Sequence, residues 1–410
     1  MKQSKSTAMK TYKYIMIGLV FAFIACEEEQ ERGPMTKDAL PPSPVSEVTV
    51  ANLPGGARIS YKVPDDEDAL LVEAIYKLDN GKVVTSKSSI FKNFVEVEGL
   101  RQVKSQEVEL VTVDRSNNRS SSIFTTINPE MAPVDKLFNS FELVEDFGGV
   151  RLNYSNEDKI AAELLLYTED EKGNMIYRQS VFISDDQRTH QTFRGFPPSS
   201  IKFGISAIDR WDNSTEILAA DRTPLAEALL NLESFRDVTL GGDEPAAFGW
   251  TKTNLWNSSI DGSGFHTAQG LPGAIVPPYT EGFHMFTMDL GVLAKLSRFK
   301  FWQRQGEWIY THGNPRYFEV WGIDELPADN GASLEGWTRL IENGEVIKPS
   351  GGAIGSNSAE DVAKAASGEE FEFPIEAPPV RYIRFVNIES WSTGKFMHFM
   401  EINFWGQLAE

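Results

Sequence analysis

Short alternations of apolar and polar residues, broken by glycine, proline and asparagine, run through the chain from residue 45 onward. Alternation with a period of two marks a half-buried β-strand. It predicts strands at 47–50, 57–63, 70–78, 82–90, 94–97, 107–113 and 121–127, with no helical periodicity between them. Seven short strands separated by turn residues fit a two-sheet antiparallel sandwich. Asn128-Pro129 and Ala132-Pro133 mark its end.

The pattern then repeats. Gly55-Gly56-Ala57-Arg58-Ile59-Ser60-Tyr61 is echoed by Gly148-Gly149-Val150-Arg151-Leu152-Asn153-Tyr154, and Asp114-Arg115-Ser116-Asn117-Asn118 by Asp209-Arg210-Trp211-Asp212-Asn213. Two landmarks at nearly one offset predict two related sandwiches in tandem, both immunoglobulin-like or fibronectin type III-like. The Gly-Gly pairs predict tight turns into a strand, and the Asp-Arg-x-x-Asn elements predict turns in which Asp and Asn bond local backbone. A calcium site at those turns is the weaker reading, since one or two carboxylates fall short of the oxygen ligands calcium needs.

After Thr223-Pro224, the helical spacing of Leu225, Ala228, Leu229 and Leu232 predicts a short connecting helix over 225–236. Alternation returns in a third all-β domain over 237–410, with strands at 285–290, 296–303, 317–323, 337–341, 371–375, 382–388 and 398–405. Eight of the nine tryptophans lie there. One loop, Gln303 to Asn314, departs from strand patterning and gathers the residue types that saccharides need. Aromatic faces stack on the apolar C–H faces of sugar rings, and planar polar groups bond the hydroxyls. Trp308 and Tyr310 are the expected stacking platforms, with Arg304, His312 and Asn314 as hydrogen-bonding partners. Trp256, Phe265 and His266 are expected to form the opposite wall, and Trp391 and Phe396 to close it.

The N-terminus carries a separate signal. Lys2, Lys5, Lys10 and Lys13 precede an apolar run over 14–25 that ends at Ala25-Cys26. The run is short for a bilayer span and suits a signal-peptide core. A small residue directly before the chain's one cysteine predicts a lipoprotein signal over 1–26 with lipid attached at Cys26. An acidic, Pro-rich tether follows over 27–43, and the sandwiches then occupy 44–130 and 131–224. The formal charge is −20, and the first 25 residues hold four lysines and no acid, leaving −20 − 4 = −24 beyond them. Such a chain does not seek nucleic acid.

Catalytic signatures are missing from the sequence. It has no Gly-x-Ser-x-Gly elbow, no His-Glu-x-x-His helix and no phosphate-binding glycine loop. Five histidines scattered along the chain predict no ligand cluster. A non-enzyme is expected.

The third domain resembles the discoidin, or coagulation-factor type C, family. Phe286-Thr287-Met288-Asp289-Leu290-Gly291, Tyr317-Phe318-Glu319-Val320-Trp321-Gly322, Gly336-Trp337-Thr338, Val380-Arg381-Tyr382-Ile383-Arg384-Phe385 and Glu401-Ile402-Asn403-Phe404-Trp405-Gly406 follow that family's landmarks in order. Gly322-Ile323 departs from the family's serine at that point. The resemblance implies an eight-stranded, galactose-binding-like jelly roll that binds carbohydrate through loops at one end. It also allows a structural calcium, for which Asp261 is the candidate ligand. Glu27-Glu28-Glu29-Gln30-Glu31 resembles the lipoprotein export signal of Bacteroidota. The three-domain order resembles outer-membrane lipoproteins encoded with glycan-uptake systems in those bacteria. That implies surface exposure, a glycan ligand, and as partners a TonB-dependent transporter with its surface glycan-binding lipoprotein. Two other readings stand beside it: a structural or interaction component of a transporter complex, and a glycoside hydrolase or lyase.

Overall fold

The computed structural model describes residues 38–184 and 188–409, so Cys26, the signal segment and most of the tether lie outside the described residues. The first sandwich has seven strands: β1 (Ser46–Leu53), β2 (Gly56–Lys62), β3 (Ala69–Lys77), β4 (Val83–Ser89), β5 (Phe94–Val97), β6 (Gln106–Asp114) and β7 (Ile123–Ile127). They form a three-stranded sheet β1-β2-β5 and a four-stranded sheet β4-β3-β6-β7. Ile59, Val72, Ala74, Val95, Val108 and Leu110 fill the space between. All seven lie where the alternation predicts them.

The second sandwich repeats the plan. Its strands are β8 (Glu142–Asp146), β9 (Gly149–Asn153), β10 (Ala162–Glu169), β11 (Met175–Ile183), β12 (His190–Arg194), β13 (Ile201–Asp209) and β14 (Leu218–Arg222). They pair as β12-β9-β8 and β11-β10-β13-β14, strand for strand the order of the first sandwich. A short helix, α1 (Pro133–Asn139), precedes them.

The Gly-Gly repeat has a steric cause. Gly55 and Gly148 turn at φ +66° and +64°. A Cβ on Gly56 would lie 1.8 Å from Val97 O, and one on Gly149 1.8 Å from Phe193 O. In both copies the neighbouring strand crosses where any side chain would stand. The Asp-Arg-x-x-Asn turns agree as well, with Asn117 and Asp212 at φ 66° and 65°. Asp114 Oδ1 accepts from the Ser116 and Asn118 amides, both at 2.8 Å, as the turn reading expects. Asp38 and Asp68 also come close to Asp114.

No helix connects to the third domain. Residues 225–236 instead hold β15 (Ala228–Leu229) and a single 3-10 turn, Leu232–Ser234. β15 pairs with β24 (Glu401–Leu408), Leu229 opposite Trp405. The Leu spacing suits a helix in isolation, but an open sheet edge offers the same backbone hydrogen bonds together with burial for Leu230.

The third domain is a jelly roll built around one bent strand, β18 (His284–Trp302). The pattern predicts two strands here. They are one, interrupted where Gly291 turns at φ +71°. Before the bend β18 pairs with β22 (Val380–Ser390); after it, with β24 and β21 (Glu369–Glu372). β19 (Pro315–Ile323) and β20 (Thr338–Glu345) extend the sheet beyond β22, and β16 (Arg236–Asp237) adds to β18. A two-stranded piece, β17 (Phe265–His266) with β23 (His398–Phe399), sits at one end. Helix α2 (Ala359–Ser367) opens with a capping box between Ser358 and Asp361. Phe286, Phe299, Phe301, Phe318, Phe385 and Phe404 fill the core.

Charged contacts join the second sandwich to the jelly roll. Arg194 donates to Glu372 Oε1 (2.7 Å), and His190 lies 3.5 Å from the same carboxylate. Glu227 accepts from Ser297 Oγ (2.7 Å) and Arg298 Nε (3.1 Å). Burial alone would raise the Glu372 carboxyl, but the bond with His190 and the Arg194 charge outweigh it and hold it at about 2.

Candidate functional site

The loop between β18 and β19 is held by its own polar groups. Asn314 Oδ1 accepts from the Arg304 amide (2.8 Å), and its Nδ2 donates to Trp308 O (2.6 Å). Asn314 is fully buried, so it is the clasp of the loop and not the ligand contact expected of it. Tyr310 also departs from expectation. It sits at φ 49°, is 0% exposed, and donates its hydroxyl to Glu369 Oε1 (3.1 Å). Burial and the neighbouring Glu369 push its phenol far up. A tyrosine turned inward with its hydroxyl satisfied is core, not platform.

Three further expected residues are packing groups. Trp391 is buried edge-on against Tyr310 (5.5 Å) with Arg316 over its ring. Phe265 is fully buried against Phe286. Trp256 packs on the core beside Phe235. Asp261 stands exposed, its backbone N–H paired with Ser259 Oγ, and among the described residues it belongs to no group of three or more acids, histidines or cysteines.

What the fold does bring together is a histidine cluster, contrary to the expectation from sequence. His266 ends β17, His398 starts β23, and His312 lies in the loop at φ 55°. Their ring centroids are 5.1 Å (His266–His398), 5.5 Å (His312–His398) and 6.2 Å (His266–His312) apart. Phe396 stacks on His266 (5.8 Å) and meets His312 edge-on (5.0 Å), forming the floor. Gly313 makes this approach possible, since a Cβ there would lie 2.5 Å from both His398 and Phe396.

Each imidazole has one nitrogen already engaged. His266 Nδ1 donates to Thr267 O (2.6 Å), leaving Nε2 as a free acceptor. His398 Nε2 accepts from the Gly313 amide (2.9 Å), so its neutral ring carries the proton on Nδ1. That Nδ1 is fully buried and has no partner. His312 Nε2 accepts from the Gln269 side-chain amide (2.7 Å). All three rings are held neutral: burial lowers each, and Arg304 lowers each further. A cation needs lone pairs, and this arrangement offers one, on His266, beside N–H groups on His398 and His312. One nitrogen of each ring lies within 4.8 Å of one on each of the others, and a cation could bridge all three only if the His398 and His312 partners above were given up. With those partners kept, the cluster pairs a donor, His398 Nδ1–H, with an acceptor, His266 Nε2, and a group that both accepts and donates, as a hydroxyl does, matches that chemistry.

Above the cluster, Arg304 lies between two indoles, 4.3 Å from the Trp308 centroid and 5.3 Å from Trp250. Trp250 meets His266 edge-on (5.5 Å), as does Phe248 (4.9 Å), whose ring is 69% exposed. The fold thus brings Trp308, Arg304, His266, His312 and Phe396 together. His398, Trp250, Phe248 and Gln269 complete the site and were not singled out. Phe248-Gly249-Trp250, two aromatics around a glycine outside any strand pattern, is the signal that would have found two of them.

Glu401, beside His398 in sequence, serves elsewhere. Its carboxyl is buried beneath the Asn257–Ser259 turn and accepts from the Ser258 amide (3.3 Å). Burial raises it from 4.5 to about 7, against the opposing pull of those amides. A raised folded-state carboxyl favours folding fully below the unfolded value and loses that contribution as pH rises through 7. Glu401→Gln is therefore expected to gain stability over the wild type between pH 5 and pH 8, by on the order of 1–3 kcal/mol. Thermal melts of both proteins across that range test this; parallel curves would refute it.

Three family models match the chain, each described as a domain of unknown function: one over residues 42–129, one over 130–233 and one over 256–406. Among solved structures, a SusE-like protein is 31% identical, covering 67% of this chain and 98% of that one, with a TM-score of 0.43. An F5/8 type C domain from Bacteroides fragilis is 13% identical, over 45% of this chain and 98% of that one, at a TM-score of 0.28. A two-domain fibronectin type III segment of chicken tenascin is 9% identical, over 44% and 99%, at 0.22. No curated protein matches. The superpositions are partial, so the family rests on sequence identity and the fold on the strand pairing above.

Proposed function

The chain belongs to the SusE-like family, and from that premise we propose that it is a surface lipoprotein that binds glycan through its third domain. Cys26 would hold it in the outer membrane, and a neighbouring TonB-dependent transporter would take up what it captures. The observation that carries the reading is the buried, partnerless His398 Nδ1–H beside the free His266 Nε2, beneath two half-buried tryptophans. A buried donor without a partner costs stability. A saccharide hydroxyl bridging the two imidazoles would remove that cost, and Trp250 and Trp308 offer apolar faces to the ring it belongs to. Binding, not turnover, is the role these groups suit: the histidines are neutral and Arg304 is the one formal charge acting on all three.

A glycan array and affinity electrophoresis with the full-length protein test the reading. Trp308→Ala is expected to weaken binding by about 1–2 kcal/mol, roughly five- to thirtyfold, with the melting temperature kept. Binding that survives this change would move the site elsewhere. No binding to any glycan would favour an interaction component of a transporter complex.

A further inference from the structure

We propose that the saccharide this site takes is acidic, bearing a carboxylate or sulfate group that Arg304 grips between Trp250 and Trp308. The inference rests on the glycan-binding reading and names its ligand class.

The first ground is the state of Arg304. Arg298, Arg339, Arg381 and Arg384 of the same domain each meet a carboxylate within 4.0 Å. The Arg304 guanidinium makes no hydrogen bond or ion pair with any described residue; it touches only the faces of two indoles. The chain has 59 acidic residues to 39 lysines and arginines, yet Arg304, like Arg316 over Tyr317 and Trp391, is held by rings and not by a carboxylate; of the two, only Arg304 acts on the histidine cluster. Cation–π contact uses the guanidinium plane and leaves the N–H groups along its edge for an anion's two oxygens.

The second ground is the balance of donors and acceptors. Among the site residues the Arg304 N–H groups, the buried His398 Nδ1–H and the His312 ring N–H stand as donors, against two acceptors, His266 Nε2 and the Gln269 side-chain oxygen. Neutral sugars present hydroxyls that give and take equally. Carboxylate and sulfate oxygens only accept, and so match a donor-rich site. The third ground is the field: the imidazoles are neutral, and Arg304 is the formal charge that acts on all three. In a chain of charge −20 this spot is locally positive, and the remaining surface repels polyanions that would adsorb without specificity.

The test compares dextran with dextran sulfate, and galactan with polygalacturonate, by calorimetry on the full-length protein and on Arg304→Gln and Arg304→Lys. Binding to one acidic polymer, weakened about ten- to a hundredfold in Arg304→Gln and less in Arg304→Lys, is expected, and the polymer bound tells sulfate from carboxylate. Melting curves of both variants report on folding separately. Binding to dextran or galactan that Arg304→Gln leaves unchanged would overturn the acidic ligand and keep the glycan-binding reading. Acidic binding unchanged in Arg304→Gln would overturn the proposal as stated. Failure to bind any of the four, or any neutral glycan on an array, would overturn both.

Discussion

Arg384→Ala is expected to destabilise the third domain by about 3–5 kcal/mol, the usual cost of stripping one partner from a buried ion pair. Arg384 is 0% exposed. Its guanidinium donates to Thr287 Oγ1 (2.9 Å), Gly331 O (2.9 Å) and Gly241 O (3.1 Å), and lies 3.2 Å from Asp243 Oδ1. Burial raises the Asp243 carboxyl, and the Arg384 charge is the main force opposing that rise. Alanine would leave Asp243 buried with Lys252 as its remaining cation and would orphan two carbonyls. Denaturant titration should show a lower midpoint at an unchanged slope. A loss under about 1 kcal/mol would mean that solvent reaches the pair. The double change Arg384→Met with Asp243→Asn should recover much of the loss, because neither charge then remains to be desolvated.

His398→Phe is expected to lower glycan affinity about ten- to a hundredfold while stability moves by about 1 kcal/mol or less. Phenylalanine keeps the ring that stacks on His266 at 5.1 Å. It removes two nitrogens of opposite consequence. Loss of Nε2 orphans the Gly313 amide, and loss of Nδ1 removes a buried donor that has no partner. The two effects on folding offset, but on the glycan-binding reading only the second nitrogen meets the ligand. A matched fall in stability and affinity would instead make His398 a packing residue. Calorimetric binding beside a melt of the same sample separates the outcomes.

The sandwiches were legible because their information is local. Alternation finds strands, and Gly55-Gly56 and Gly148-Gly149 announce turns whose cause lies within one sheet. The connecting helix failed for the opposite reason. Leu229 and Leu230 face a partner strand more than 170 residues later, which helical spacing cannot reveal. The site was half legible on the same principle. Trp308, Arg304 and His312 share one loop and were found together. His266 and His398 are opposite one another only through the pairing of β17 with β23, and Gly313 reaches His398 across 85 positions. Tyr310 was misjudged because loop membership says nothing of direction, and its hydroxyl finds Glu369, 59 residues away, inside the domain.

The contacts between the second sandwich and the jelly roll bear on how such proteins can diversify. Arg194 and His190 meet Glu372, Glu227 meets Ser297 and Arg298, and β15 lies along β24. A jelly roll lifted out by recombination near residue 237 would leave behind the strand that covers its edge and the Arg194 and His190 side chains that meet Glu372. The jelly roll is thus not a cassette. On the proposed reading, exchange of specificity would move the second sandwich and the jelly roll together, or else proceed by substitution within the loops that carry Trp250, Arg304 and Trp308.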